Sequence, residues 1–284
     1  LLRGKRYERL QVVVMAVRMM NSGFKSLCGS IRRGVASPQS PVNQGCKRLA
    51  SSAAKDQWWQ DRTFRFFQRD SEQGGAILSY EIVGPFQMNQ YLLGCAETGR
   101  AALIDVGDAA ALHSTAAQHG LSITHILQTH AHIDHIMGLA ELKRQPSFSE
   151  VPVYLHPADL PWYQAAPMQS GMFGLPLEQP SDPEEELFDG QIIKVGHVPL
   201  EVIHTPGHCP GHCALYCEPH GFLIAGDLLF AGSVGRTDFP MSDPSLMRES
   251  LKRVMELPDH TKVFPGHMQP TTIGTERRHN PFLR

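Results

Sequence analysis

No apolar run in this sequence approaches the ~18 uninterrupted residues that a membrane-spanning helix needs. The longest, such as Val12 to Val17, fall far short, so no membrane partner is expected. Cysteine is scarce: six in 284 residues, of which Cys28 and Cys46 lie before residue 56. The four that follow, Cys95, Cys209, Cys213 and Cys217, do not make a disulfide framework and fit a reducing compartment. No repeat of fixed period and no low-complexity run occurs. Acid is nearly absent from residues 1–55, where Glu8 stands alone against eleven Lys and Arg, which leaves 15 basic and 27 acidic side chains for 56–284. A body carrying that excess of acid repels phosphate backbones, so nucleic acid is disfavoured as the main partner. Hydrophobic residues at 42% suffice for a sizeable core and exclude a wholly disordered chain.

The leader 1–55 is basic and rich in Ser, Gly and Ala, the composition of a mitochondrial transit peptide, with a plastid address as the alternative. Met15 and Met19 are candidate starts, and a basic tail that stays attached is the competing reading. The body reads as strands with interspersed helices. Strands are predicted over Ala76–Val83, Asn89–Cys95, Ala101–Val106, Ile123–Thr129, Val153–His156, Gln191–Val195, Pro199–His204, Cys213–Cys217, Phe222–Ala225 and Lys262–Phe264. Helices are predicted over Ala109–His119, closed by Gly120, over His135–Arg144, and from Asp243-Pro244 to Leu257. Pro157–Gly190, with six prolines, reads as a long lid or insertion. Trp58 and Trp59 are expected to begin the ordered body. The pattern predicts one α/β sandwich domain over 60–284.

The informative stretch is Thr129-His130-Ala131-His132-Ile133-Asp134-His135, between a predicted strand and a predicted helix. Alternation puts His130 and His132 on one side of an extended loop, where two imidazoles can share an ion. Asp134 and His135 point elsewhere and can serve a second ion. Imidazole with carboxylate suits Zn, Fe or Mn; unrelated solvent-facing histidines are the bland alternative. Downstream, His204-Thr205-Pro206-Gly207-His208, Gly226-Asp227 and Pro265-Gly266-His267 each follow a predicted strand. Loops at one end of a sheet converge, so these side chains can close around the same ions.

Taken together, these motifs resemble the metallo-β-lactamase superfamily, in its glyoxalase II and persulfide dioxygenase branch, over roughly Ile77 to Arg284. The resemblance implies an αββα sandwich. It assigns His130, His132 and His208 to one ion and Asp134, His135 and His267 to a second, with Asp227 bridging. It implies two divalent ions, Zn or Fe with Mn as a further candidate, and attack of a bridging hydroxide, oriented by Asp134, on a thioester. A thiolate leaving group, with a conjugate acid near pKa ~8.5, needs no strong proton donor. The implied substrate is S-(2-hydroxyacyl)glutathione, such as S-lactoylglutathione.

Gly232-Ser233-Val234-Gly235-Arg236-Thr237-Asp238-Phe239 resembles a run found in both members of that branch. Arg236 is the candidate holder of a glutathione carboxylate; a structural pair with Asp238 is the other reading. After His267 come Met268-Gln269-Pro270 and a short tail, which resembles the compact single-domain hydrolases rather than the two-domain enzymes. Phe282 and Leu283 are expected to dock the tail on the sandwich. The runner-up activity is a persulfide dioxygenase with one ferrous iron, acting on glutathione persulfide. A non-catalytic binding subunit is the third reading, and homo-oligomers are left open. Cys209, Cys213 and Cys217 read as packing, and His204 and His212, which flank the site, as supports of it or as structural residues. Asp105 is either an orienter of a ligand imidazole or a satisfied turn residue.

Overall fold

The structure, a computed structural model, describes residues 58–60, 62–66 and 75–284. The leader read as a transit peptide lies outside the described residues. The chain divides into two units at Asp61/Arg62; of the first, Trp58, Trp59 and Gln60 are described, forming a turn with the two indoles edge to face at 5.9 Å.

The second unit is built on two sheets. Seven strands in sequential order make the first: β1 (Thr63–Phe66), β2 (Ala76–Val83), β3 (Met88–Cys95), β4 (Arg100–Ile104), β5 (Ser122–Leu127), β6 (Val153–Leu155) and β7 (Glu185–Glu186). The β1 to β4 pairings are antiparallel, and β4 to β7 run parallel. Parallel neighbours need a crossover, and helices supply it. The second sheet has the order β15 (Thr271–Thr272), β14 (Lys262–Pro265), β11 (Phe222–Gly226), β10 (Cys213–Cys217), β9 (Val198–His204), β8 (Ile192–Val195). A short ribbon, β12 (Leu229–Phe230) with β13 (Ser233–Val234), follows β11.

The two sheets face each other through aromatic rings. Phe64 of β1 meets Phe264 of β14 at 5.1 Å, and Phe66 meets Phe222 at 5.0 Å. Every residue of β3 is buried, as expected of a strand covered on both faces. The helix Pro244–Val254 lies on the outer face of the second sheet, where Met247, Leu251 and Val254 pack with Ile203, Ala214, Leu223 and Val263. Asp243 caps it by accepting from the nitrogens of Ser245 and Leu246. Among the described residues no helix is long and apolar enough to cross a membrane.

Several predicted elements change in the folded chain. The helix expected over Ala109–His119 forms only at His113–Gln118. Asp108 accepts from the nitrogens of Ala110 and Ala111, and this local turn replaces the first helical turn. The helix expected over His135–Arg144 is two pieces, Ile133–Ile136 and Leu139–Arg144. The nitrogen of Gly138 bonds to the carbonyl of Val106 instead of continuing the helix. The proline-rich segment 157–190 is not one long loop. It holds a 3₁₀ turn (Pro157–Asp159), the helices Leu160–Gln164 and Ala166–Met172, and β7. Pro157, Pro161 and Pro167 stand in the first turns of these elements, where the missing N–H costs nothing. The tail expectation holds for Leu283, which packs beside the helix Pro244–Val254, and fails for Phe282, which is 60% exposed.

Candidate metal centre

Four connections bring the seven singled-out side chains together at one end of the sheets. His130 follows β5, and His132 stands at the start of the helix Ile133–Ile136, whose first turn carries Asp134 and His135. His208 follows β9, Asp227 follows β11, and His267 follows β14. His130, His132 and His208 place one ligand atom each within 4.8 Å of one another. Asp134, His135 and His267 do the same, as do His130, His135 and Asp227. Asp227 lies between the first two groups: its Oδ2 is 3.5 Å from Nε2 of His208 and 3.5 Å from Nε2 of His267, and its Oδ1 is 3.5 Å from Nε2 of His135. Asp134 Oδ2 sits 3.1 Å from Nε2 of His267.

The donor set fits divalent ions on two independent grounds. Nε2 of His135, Nε2 of His208 and Oδ1 of Asp227 are buried without a hydrogen-bond partner. Orphaned polar atoms aimed at one another are costly unless a cation lies between them. Charge gives the second ground. Burial opposes a proton on His135, yet Asp134, Asp105 and Asp227 together raise its pKa well above 6.5, so this position favours positive charge. Burial would raise Asp227, but His135, followed by His267 and His208, holds its carboxyl low. Burial, helped by His208, pushes His132 down to about 3, and His130 is likewise driven low, so both present lone pairs. His130 Nε2 and His132 Nδ1 already stand 3.1 Å apart.

Buried partners aim these ligands. Asp105, at φ 56°, accepts from the nitrogen of Thr129 (2.7 Å), the hydroxyl of Thr129 (2.8 Å) and Nδ1 of His135 (3.0 Å). It therefore fixes the His135 ring and turns its Nε2 toward the cluster. Nδ1 of His208 donates to the carbonyl of Arg236 at 2.7 Å. Both ring nitrogens of His212 are already engaged: Nδ1 meets the Thr205 hydroxyl, and Nε2 accepts from the nitrogen of Asp227 at 2.9 Å. Gly266 is required by close approach, because a Cβ there would lie 2.2 Å from Oδ1 of Asp227. His204 turns away, bonding the carbonyl of Pro210 and stacking on His156.

Three supports were not legible in the sequence. Asp159 is fully buried and accepts from Ala131 N (3.0 Å), Gly211 N (2.5 Å) and the Cys209 thiol (3.0 Å). It thereby ties the His130–His132 loop to the loop after His208. Asn89 donates to the carbonyls of Pro265 (2.9 Å) and Met268 (2.8 Å), and the Tyr91 hydroxyl donates to Pro265 (2.6 Å). β3 of the first sheet thus fixes the His267 loop of the second. Only the polar character of Asn89 in a buried strand hinted at a role.

Arg236 is exposed and makes a two-pronged pair with Asp238, at 2.8 and 2.7 Å, while its guanidinium lies 4.5 Å from the ring centre of Phe239. Phe239 stands edge-on to His132 at 5.2 Å, and Phe230 to His267 at 6.0 Å. The four described cysteines are buried and free. Cys213 and Cys217 pack within β10, where burial raises both thiols.

The metallo-beta-lactamase superfamily profile matches residues 83–267. The hydroxyacylglutathione hydrolase GloC of Haemophilus influenzae is 32% identical over 71% of this chain and 95% of its own. Among solved structures, TTHA1623 in a di-iron-bound form is 42% identical with a TM-score of 0.65, covering 72% of this chain and 99% of its own. ETHE1 from Myxococcus xanthus is 27% identical with a TM-score of 0.59, covering 72% and 83%.

Proposed function

The chain belongs to the metallo-beta-lactamase superfamily, and from that premise we propose that it hydrolyses S-(2-hydroxyacyl)glutathione, with S-lactoylglutathione as the leading case, to a hydroxy acid and glutathione. The superfamily is one of metallo-hydrolases that typically hold a dinuclear metal centre. The observation that carries the reading is the convergence of five imidazoles and two carboxylates, with Asp227 between two groups of three. His130, His132 and His208 would hold one ion, and Asp134, His135 and His267 the other, with Asp227 reaching both. Two divalent cations supply Lewis-acid polarisation of a carbonyl and a water of lowered pKa. Imidazole and carboxylate donors suit Zn, Fe and Mn alike.

The chain's own side chains supply the rest. Asp134 is less buried than His135 beside it and accepts a hydrogen bond from the attacking water, aiming it at the thioester carbon. Asp227 and Asp134 balance cationic charge at the site, and Asp105 keeps the His135 ring from rotating. Phe239 and Phe230 flank the cluster and limit access of bulk water to the bound thioester. The departing glutathione thiolate, with a conjugate acid of pKa ~8.5, leaves without a proton donor. Arg236 exchanges Asp238 for a glutathione carboxylate, since opening an exposed ion pair costs only about 0–1 kcal/mol. Similarity to GloC supports the choice of a glutathione thioester. The composition of residues 1–55 supports an added proposal, import into the mitochondrion with the leader removed, which N-terminal sequencing of the native protein tests.

The deciding experiment is turnover of S-lactoylglutathione by metal-loaded protein, with and without a strong chelator. Chelator-sensitive hydrolysis is the expected result. No turnover in protein that holds metal overturns the reading, and oxygen uptake with glutathione persulfide would then assign the runner-up dioxygenase.

A further inference from the structure

Cys95, Glu97 and His197 stand at the other end of the sandwich. β3 begins at Met88, which bridges to His267, and ends seven residues later at Cys95, about 23 Å away at ~3.3 Å per residue. β9 likewise starts beside His197 and runs toward His208. Cys95 and Glu97 come from the β3–β4 turn of the first sheet. His197 comes from the β8–β9 turn of the second.

A sulfur, a carboxylate oxygen and an imidazole nitrogen from these residues lie within 4.8 Å of one another. Cys95 Sγ is 3.5 Å from Oε2 of Glu97. Tetrahedral Zn–S and Zn–O bonds of ~2.3 and ~2.1 Å require a separation of about 3.6 Å between those two atoms. Three further features prepare the cluster. Oε1 of Glu97 accepts from the nitrogen of Gly75 at 2.7 Å, which fixes the carboxylate. The backbone nitrogen of His197 donates to Cys95 Sγ at 3.4 Å, which holds the His197 turn against the sulfur. Gly196, at φ 62°, lets the turn close on Cys95, since a Cβ would lie 2.8 Å from Cys95 Cβ and 2.1 Å from the Thr98 hydroxyl.

We propose that Cys95, Glu97 and His197 form a zinc site remote from the candidate metal centre, with water in the fourth position, that pins the turn of one sheet to the turn of the other. Zinc binds the thiolate of Cys95, and the thiol proton passes to solvent. The ligands come from positions 102 residues apart, so the ion closes a long loop of chain and stabilises the folded state. The role is structural and independent of the thioesterase reading.

Cobalt substitution tests the site, because only a cysteine ligand gives a thiolate-to-cobalt charge-transfer band and the seven-residue centre contains none. The full-length chain, freed of metal and titrated with Co²⁺, is expected to show that band and to bind one equivalent more than the H197A variant. H197A keeps every cysteine and is expected to lose both the band and the extra equivalent, with C95S losing them too. Zinc is expected to raise Tm more in wild type than in H197A; H197Q serves if the alanine variant folds poorly. Absence of the band in wild type carrying bound cobalt overturns the site, as does an undiminished band in H197A or H197Q. Thioester turnover is not read in this titration, so a failed function assignment and a failed zinc site remain distinguishable.

Discussion

Asp159 holds the backbone nitrogen of Ala131 at 3.0 Å, from inside a segment 28 residues further along the chain. Its other oxygen holds Gly211 N, so one buried carboxylate sets the separation of the His130–His132 loop from the loop after His208. Burial pushes this carboxyl up, while the Cys209 thiol and the two N–H groups pull it down. The group is therefore held by its donors, and removing it strands them.

Replacing Asp159 with Ala is expected to cost about 3 kcal/mol or more, since each buried donor left unpaired costs ~1–3 kcal/mol. Metal affinity is expected to fall as the two loops part. Urea unfolding and metal titration of D159A measure both, and unchanged values in both would remove Asp159 from the frame of the site.

Asp134→Ala is expected to abolish turnover of S-lactoylglutathione while the fold remains, because the water loses its orienting carboxylate. Steady-state kinetics beside circular dichroism separate the two effects. Turnover within a few-fold of wild type would exclude a role for Asp134 in the chemical step.

Asp105→Asn removes the anion behind His135 but keeps a similar shape. The expected effect is a 10–100-fold loss of metal affinity at the ion held by Asp134, His135 and His267. Competition against a chromophoric chelator measures it. Equal affinity for both ions before and after substitution would make Asp105 a turn residue only.

Arg236→Ala is expected to raise KM for a glutathione thioester several-fold and leave kcat near wild type, the signature of lost uniform binding. A truncated thioester lacking the glutathione carboxylates is expected to show no difference. Should both substrates respond alike, the Arg236–Asp238 pair is a loop brace.

Acid stability carries a fifth residue's mark. Burial, with the stacked His204 ring 4.1 Å away, holds His156 down to about 4, against ~6.5 in an unfolded chain. Between those values the unfolded chain binds the extra proton, so stability present above pH ~6.5 is lost as pH falls toward 4. Asn at position 156 can still accept from Ala158 N, as His156 does, without titrating. H156N is expected to show a shallower fall of Tm across that window than wild type; parallel curves would rule His156 out as a contributor.

The sequence by itself determined which chemistry was available and where along the chain it would lie. His130, His132, Asp134 and His135 sit within six residues, and His208, Asp227 and His267 each follow a strand legible from its apolar pattern. Such signals live in short windows, where side-chain type and strand period are enough. Tertiary structure alone decided what holds those ligands in place. Asp159 with Gly211 spans 52 residues and Asn89 with Pro265 spans 176, and no local pattern encodes contacts made only when two sheets pack. The same holds for 157–190, where Pro157, Pro161 and Pro167, which mark breaks in isolation, stand in the first turns of short helical elements. Phe282 marks the converse: its apolar side chain predicted docking, yet the 3₁₀ turn at Pro281–Leu283 spends its burial on Leu283 and leaves the ring in solvent. Chemistry is carried by residues; convergence is carried by packing, because only packing brings distant carbonyls, amides and carboxylates within hydrogen-bonding reach.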